Sequence, residues 1–276
     1  MAAANLTVDI DLHRSSTLTV QPSQSARKIA IVTGGSRGIG RNTVLNLAAR
    51  GVDSLFTYHS HREDADAVVA AVQEAGARAV AVQLDTGEVG AFDAFVTQVR
   101  SALTSLGATH FDFLVNNAGN NHRNMPFDKA TEEELDNLYR VHFKGAFFLS
   151  QKLLPLIRDG GRIVNISTGR TRIIGPGGAA YGSMKGAVEV LTKYMAKELG
   201  PRGITVNVVA PGAVATDFSG GIVRDNPEVN RHIAELTALG RAGVPDDIGP
   251  MIAALLSDDN RWVNAQRIEV SGGLVI

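Results

Sequence analysis

Lys28-Ile29-Ala30-Ile31-Val32-Thr33-Gly34-Gly35-Ser36-Arg37-Gly38-Ile39-Gly40 is the stretch that decides the fold. Its first half is a short, β-branched apolar run, which reads as a buried strand. The glycines then break the chain, and Val44, Leu45, Leu47 and Ala48 resume it with helical spacing. Strand, glycine turn and helix in that order form a phosphate-binding context. The glycines allow a tight turn and let backbone N–H groups approach a pyrophosphate at the helix N-terminus. The spacing is G-x-x-x-G-x-G.

Downstream the same alternation repeats. Ser54-Leu55-Phe56-Thr57-Tyr58 reads as a second strand, followed by a helix with Val68, Val69 and Val72 on one face. Ala79 to Asp85 is a third strand, ending at Asp85-Thr86, and a helix runs from Phe92 to Leu106. Phe113-Leu114-Val115 leads into the turn Asn116-Asn117-Ala118-Gly119. Residues 131–157 read as one long helix, opened by a capping box of Thr131 and Glu134. Its Ala146-Phe147-Phe148-Leu149 segment is apolar enough to hint at a subunit contact. Strands follow at 162–166, 204–209 and 266–270, separated by helices beginning near Tyr181 and at Pro245. About seven strands with helical crossovers make an α/β, doubly wound parallel sheet with helices on both faces.

The ends and the irregular parts frame this domain. Residues 1–26 form a polar arm, with a short strand at Leu18-Thr19-Val20, that is either a tail or a docking arm for a neighbouring subunit. The expected domain is 27–276. Within it, 213–245 is glycine-punctuated and beside the ligand edge of the sheet, a candidate substrate lid.

Composition narrows the chemistry. The 276 residues are 44% hydrophobic and 20% charged, with 29 glycines and a net charge of −1. That balance gives no reason to expect nucleic acid or an anionic membrane as partner. The absence of cysteine excludes disulfides, thiolate catalysis and cysteine metal sites. No apolar run reaches the roughly 18–20 residues of a membrane span, and the start of the chain lacks a signal-peptide pattern. A soluble, cytoplasmic protein is expected. His59 and His61 lack the acidic or cysteine partners of a metal site, so none is expected.

Two further patterns point to function. Tyr181 and Lys185 are i and i+4 on one helix face, which sets an ammonium near a phenol. A neighbouring cation favours the phenolate and makes the pair a candidate acid/base for a carbonyl–alcohol couple. The second strand ends in Tyr58-His59-Ser60-His61-Arg62, with no acid before Glu63, and Arg37 lies within the glycine loop. Hydroxyls and a cation suit a 2′-phosphate, so NADP(H) is preferred over NAD(H).

Thr33-Gly34-(x)3-Gly38-Ile39-Gly40, Asn116-Asn117-Ala118-Gly119, Tyr181-(x)3-Lys185 and Pro211-Gly212 together resemble the signatures of the short-chain dehydrogenase/reductase family, over about Lys28 to Gly273. The resemblance implies a single-domain Rossmann fold and hydride transfer between a nicotinamide and a small-molecule carbonyl or secondary alcohol. It implies that Tyr181 donates or accepts the proton. Lys185 would hold the nicotinamide ribose and lower the tyrosine pKa. The family's substrate-binding serine falls at Thr168, with Ser167 one residue early as the fallback. Its proton-path asparagine falls at His142, which can also relay protons. Gly34, Ser36, Arg37, Gly38, Ile39, Gly40, Tyr58, His59 and Ser60 form the first part of the implied cofactor contact. Asp85, Thr86, Asn117, Ala118, Gly119, Pro211, Gly212, Val214 and Thr216 form the second, with Tyr181 and Lys185 completing it. A homotetramer is implied, a dimer being the alternative, with helices 131–157 and 181–199 as contact surfaces. The rival functions are a 3-oxoacyl-carrier-protein reductase and a non-catalytic NADP-binding sensor or scaffold. Arg170, Arg172, Asn120, Asn121, His122 and Arg123 favour a polar or anionic substrate if they face the cleft.

Overall fold

Strand β1 (Ile29–Val32) is buried along its whole length. Successive side chains of a strand point to opposite faces. Ala30 and Val32 accordingly enter one hydrophobic layer, and Ile29 and Ile31 the other. The computed structural model describes residues 27–120 and 125–276. The 1–26 arm with its Leu18–Val20 strand, and Asn121, His122 and Arg123, lie outside the described residues.

β2 (Asp53–Tyr58), β3 (Ala79–Gln83), β4 (Phe111–Asn116), β5 (Ile157–Ile166), β6 (Thr205–Pro211) and β7 (Arg267–Val270) complete one sheet, in the order β3-β2-β1-β4-β5-β6-β7. Every pairing is parallel. The chain therefore winds outward from β1 to β3, then returns to place β4 on β1's other side. That reversal opens a crevice at the carboxyl ends of β1 and β4, the place where ligands bind in such sheets.

Helices cover both faces. Val44 and Leu47 of α1 (Gly38–Ala48), Val68 and Val72 of α2 (Arg62–Glu74) and Ile252 of a C-terminal helix (Pro245–Leu255) share one layer. Phe95 and Val99 of α3 (Phe92–Ser105) belong to the other, with Leu149, Leu153 and Ala196. Burying each such side chain contributes about 1.5–3 kcal/mol.

The helix expected over 131–157 is instead interrupted. It comprises α4 (Glu132–Leu138), a wide π turn (Tyr139–Lys144) and α5 (Gly145–Leu153). The Thr131 hydroxyl caps it by accepting from Glu134 N at 3.2 Å. The interruption coincides with a close approach. A β-carbon at Gly145 would sit 2.2 Å from the Thr86 carbonyl oxygen and 3.1 Å from that of Arg140. Ile157 belongs to β5, where it pairs with Phe111. The run Leu153-Leu154-Pro155-Leu156-Ile157 is almost wholly apolar, so its period does not separate helix from strand.

α6 (Ala179–Leu199) follows β5 and carries the tyrosine–lysine pair. Between β6 and the C-terminal helix, the 213–245 segment holds a single 3-10 turn (Phe218–Gly221) and two short helices, α7 (Ile222–Asp225) and α8 (Pro227–Leu236). Asn226 caps α8, accepting from Glu228 N and Val229 N, and Pro227 begins it. No helix among the described residues is long and apolar enough to cross a membrane.

Candidate active site

The glycine loop is fastened to the end of β4. Asn117 N and Ala118 N both donate to Thr33 Oγ1 at 2.9 Å. The Asn117 amide donates to the carbonyls of Thr33 (2.8 Å) and Gly34 (3.1 Å). Gly34 and Gly38 have φ of 67° and 54°, which glycine adopts without strain. A β-carbon at Gly40 would lie 2.1 Å from the Gly34 carbonyl oxygen, so α1 begins directly against the loop. Arg37 is the exposed N-cap residue of α1 and supplies no side-chain cap, and Ser36 is buried beside it. A bare helix start beside a fixed glycine turn fits a dinucleotide's pyrophosphate.

The neighbouring strand ends continue this edge. His59 and Ser60 are exposed at the end of β2. His59 Nε2 lies 3.5 Å from Asp85 Oδ2, and Gly87 N donates to Asp85 Oδ1 at 2.8 Å. Thr86 is buried under α5. Tyr58 ends β2 with its side chain turned away from solvent. It is 7% exposed and sits in the core layer shared with Val68 and Val72, because the strand's alternation turns it inward. Ile39 likewise packs against that layer. On the other side of the crevice, Pro211 ends β6 and Gly212 N donates to Val270 O at 3.0 Å. Val214 forms a bridge with Gly243, and Thr216 comes over the glycine loop, its methyl 3.6 Å from where a Gly38 β-carbon would be.

Tyr181 and Lys185 share one buried face of α6, 7% and 5% exposed. Burial raises the Tyr181 pKa above that of an ordinary phenol, while a hydrogen bond with Thr168 and the nearby charge of Arg170 pull it down. Burial lowers Lys185 to about 8. Its ammonium is 5.9 Å from the Tyr181 ring centroid and donates to the Ile166 carbonyl at 2.8 Å. Helical spacing thus brings lysine to the ring, whereas Thr168 and Arg170 are the groups that favour the phenolate.

His142 is brought to the same place by the π turn. It is 2% exposed, and its ring meets Tyr181 edge-on, with centroids 5.2 Å apart and planes at 83°. Gly119 leaves room for it; a β-carbon there would lie 2.8 Å from His142 Cε1. A cavity of about 10 Å³ lies between His142, Lys185, Thr86 and Asn116, the size of a single water. From the 213–245 segment, Phe218 lays its ring 6.0 Å from that of Tyr181.

Ser167 and Thr168 are adjacent but serve different neighbours. Ser167 is buried and donates to Glu189 Oε1 at 2.7 Å, away from the phenol. The same carboxylate oxygen accepts from Thr171 (2.7 Å) and from Arg267 Nε (2.9 Å). Arg267 Nη2 reaches the Thr168 carbonyl at 3.3 Å. Glu189 therefore clamps the turn from which the Thr168 hydroxyl projects. Sequence reasoning passed over Glu189, although Tyr181, Lys185 and Glu189 recur at i, i+4 and i+8, the spacing of one helix face. Phe218 carried no comparable signal. Among the described residues, no group of three or more His, Cys, Asp or Glu side chains is arranged to hold a metal.

Known proteins share this architecture. Residues 34–275 match the family model described as Enoyl-(Acyl carrier protein) reductase. The hydroxynaphthalene reductase-like protein Arp2 of Metarhizium brunneum is 36% identical over 265 residues, covering 92% of this chain and 97% of its own. Among solved structures, the promiscuous reductase LugOII, described as catalysing keto-reduction at C1 in lugdunomycin biosynthesis, superposes with a TM-score of 0.85 at 39% identity, covering 90% of this chain and 98% of that one. The angucycline C-6 ketoreductase LanV, solved with bound NADP, gives 0.84 at 36% identity over 90% and 95% of the two chains.

Proposed function

The chain belongs to the short-chain dehydrogenase/reductase family, and from that premise we propose that it is an NADP(H)-dependent reductase of ketones with Tyr181 as its acid. The observation that carries this reading is the buried Tyr181 phenol at the crevice of the sheet, with the His142 ring edge-on to it and Thr168 and Arg170 close enough to lower its pKa. When bound, the nicotinamide supplies the hydride.

Tyr181 donates its proton to the substrate oxygen as that oxygen gains charge. Thr168 holds the same oxygen in line and stabilises the charge. Threonine retains the hydroxyl of serine with a more restricted χ1. Lys185, steadied by the Ile166 carbonyl, is placed to hold the ribose. His142 and Lys185 line one water-sized cavity, which supports His142 as the inner end of a proton relay to the tyrosine.

Arg37 at the start of α1, and His59 and Ser60 where an acid would select NAD, support NADP(H). The NADP held by LanV agrees with that choice. Phe218 beside Tyr181 suits a planar aromatic ketone, and the hydroxynaphthalene in the relative's name is such a ring system. Segment 213–245 is the lid in this reading. Leu135, Tyr139, Phe147, Val190 and Tyr194 expose apolar surface on α4, the π turn, α5 and α6, which supports a homo-oligomer built on those helices.

Tyr181→Phe tests the reading. NADPH oxidation with an aromatic ketone should fall by about 10³-fold, while NADPH binding, followed by cofactor fluorescence, persists. Near-normal turnover in that variant would leave Tyr181 without its role.

A further inference from the structure

Three arginines surround the turn after β5, and they differ in what they bind. Arg172 places Nε and Nη2 on the two carboxylate oxygens of Glu269, at 2.7 and 2.5 Å, and donates to the carbonyls of Leu274 and Val275. Arg267 is shared between Glu189 and Glu269. Arg170, two residues before Arg172, has no carboxylate within 4.0 Å of its guanidinium among the described residues.

Its position is nevertheless fixed. Arg170 N donates to Thr168 Oγ1 at 3.3 Å. A β-carbon on Gly182 would lie 3.6 Å from the Arg170 carbonyl, and one on Gly178 would lie 2.6 Å from Nη1. The side chain therefore crosses bare glycine at the start of α6, one turn before Tyr181. It is half-buried there, and its charge reaches the Tyr181 phenol. Gly178 is the N-cap of a 21-residue helix, whose positive end disfavours a cation. A guanidinium held in such a place without a counter-ion has its planar fork available for an anionic oxygen.

We propose that Arg170 is a specificity-determining residue that binds a carboxylate or phenolate oxygen of the substrate beside the carbonyl that Tyr181 protonates. This rests on the ketone-reductase reading of the same site. It commits the substrate to carry a negative charge near the reacting carbon.

The test is calorimetric binding of 2-naphthoate and of its neutral counterpart 2-naphthamide, with and without NADP+, to wild type, Arg170→Gln and Arg170→Lys. Wild type should prefer the carboxylate by about tenfold or more, the range expected for a charge-assisted hydrogen bond. Arg170→Gln should abolish that preference and Arg170→Lys should keep part of it. A wild type that binds both probes equally, or an Arg170→Gln protein that keeps the preference, would overturn the proposal. The same proteins are assayed for NADPH oxidation with 2-acetylbenzoate and with acetophenone. Carboxylate preference without turnover of any ketone would refute the reductase reading alone. Turnover of both ketones with no Arg170-dependent preference would refute the anion site alone.

Discussion

The two sides of the crevice are built by different means. The glycine-loop side, the cofactor side in the proposed function, is specified by backbone. Gly34, Gly38 and Gly40 shape the loop, and Thr33 and Asn117 fasten it through main-chain atoms. The substrate side is specified by side chains converging from distant elements. Thr168 comes from the turn after β5, Tyr181 and Glu189 from α6, His142 from the π turn, Arg267 from β7 and Phe218 from the 213–245 segment. A backbone device tolerates almost any side chain around it but no added atom. A side-chain device tolerates replacement wherever the same atom can be returned to the same place.

That contrast is broken most readily at Thr168. Thr168→Ala removes the hydroxyl that lowers the Tyr181 pKa and should lower kcat/KM by about 10²–10³-fold. Thr168→Ser should restore most of it, and Ser167→Ala should stay within about threefold of wild type. Steady-state kinetics on the three variants decides the matter, and a larger loss at Ser167 than at Thr168 would reverse their roles.

A smaller effect is expected on the backbone side. Gly40→Ala places a methyl against the Gly34 carbonyl, a clash of the sort that costs about 1–3 kcal/mol. It should weaken NADPH binding by about tenfold or more, measured by fluorescence titration, and leave turnover at saturating cofactor less affected. Loss of turnover with unchanged affinity would show that the loop serves the chemistry rather than the cofactor.

The gentlest probe is pH. Burial lowers Lys185 from 10.5 to about 8. Between those values the unfolded chain binds more protons than the folded one. Stability of the cofactor-free protein should therefore rise with pH across about 8 to 10.5 relative to Lys185→Met. Denaturant melts of both proteins at pH 7.5, 9 and 10.5 check the sign. Parallel profiles would mean that Lys185 keeps an ordinary pKa.

The legibility of the two sides follows the same division. The strand–glycine–helix order and the parallel sheet were readable because apolar period and glycine spacing encode local backbone. The Tyr181–Lys185 pair was readable because i and i+4 share a helix face. The Glu189 clamp and the ring of Phe218 were not read, because each depends on elements tens of residues apart in sequence. The inward turn of the Tyr58 side chain was not read, because the motif gives the strand's end but not the face to which its last side chain turns. The break at Tyr139–Lys144 was hidden because its residues are as apolar as a continuous helix requires.

That wide turn lets the helix carry one residue more than its phase requires. A regular helix advances 100° per residue, and a π turn holds an additional residue within one turn. Removing one position between Tyr139 and Lys144 would therefore return the turn to regular α geometry with Leu149 and Leu153 still on the sheet, and would shift the turn that carries His142 to Tyr181. A point substitution leaves the phase intact. The spare residue of this segment serves the aim of one ring, so its loss would cost the site before it cost the fold.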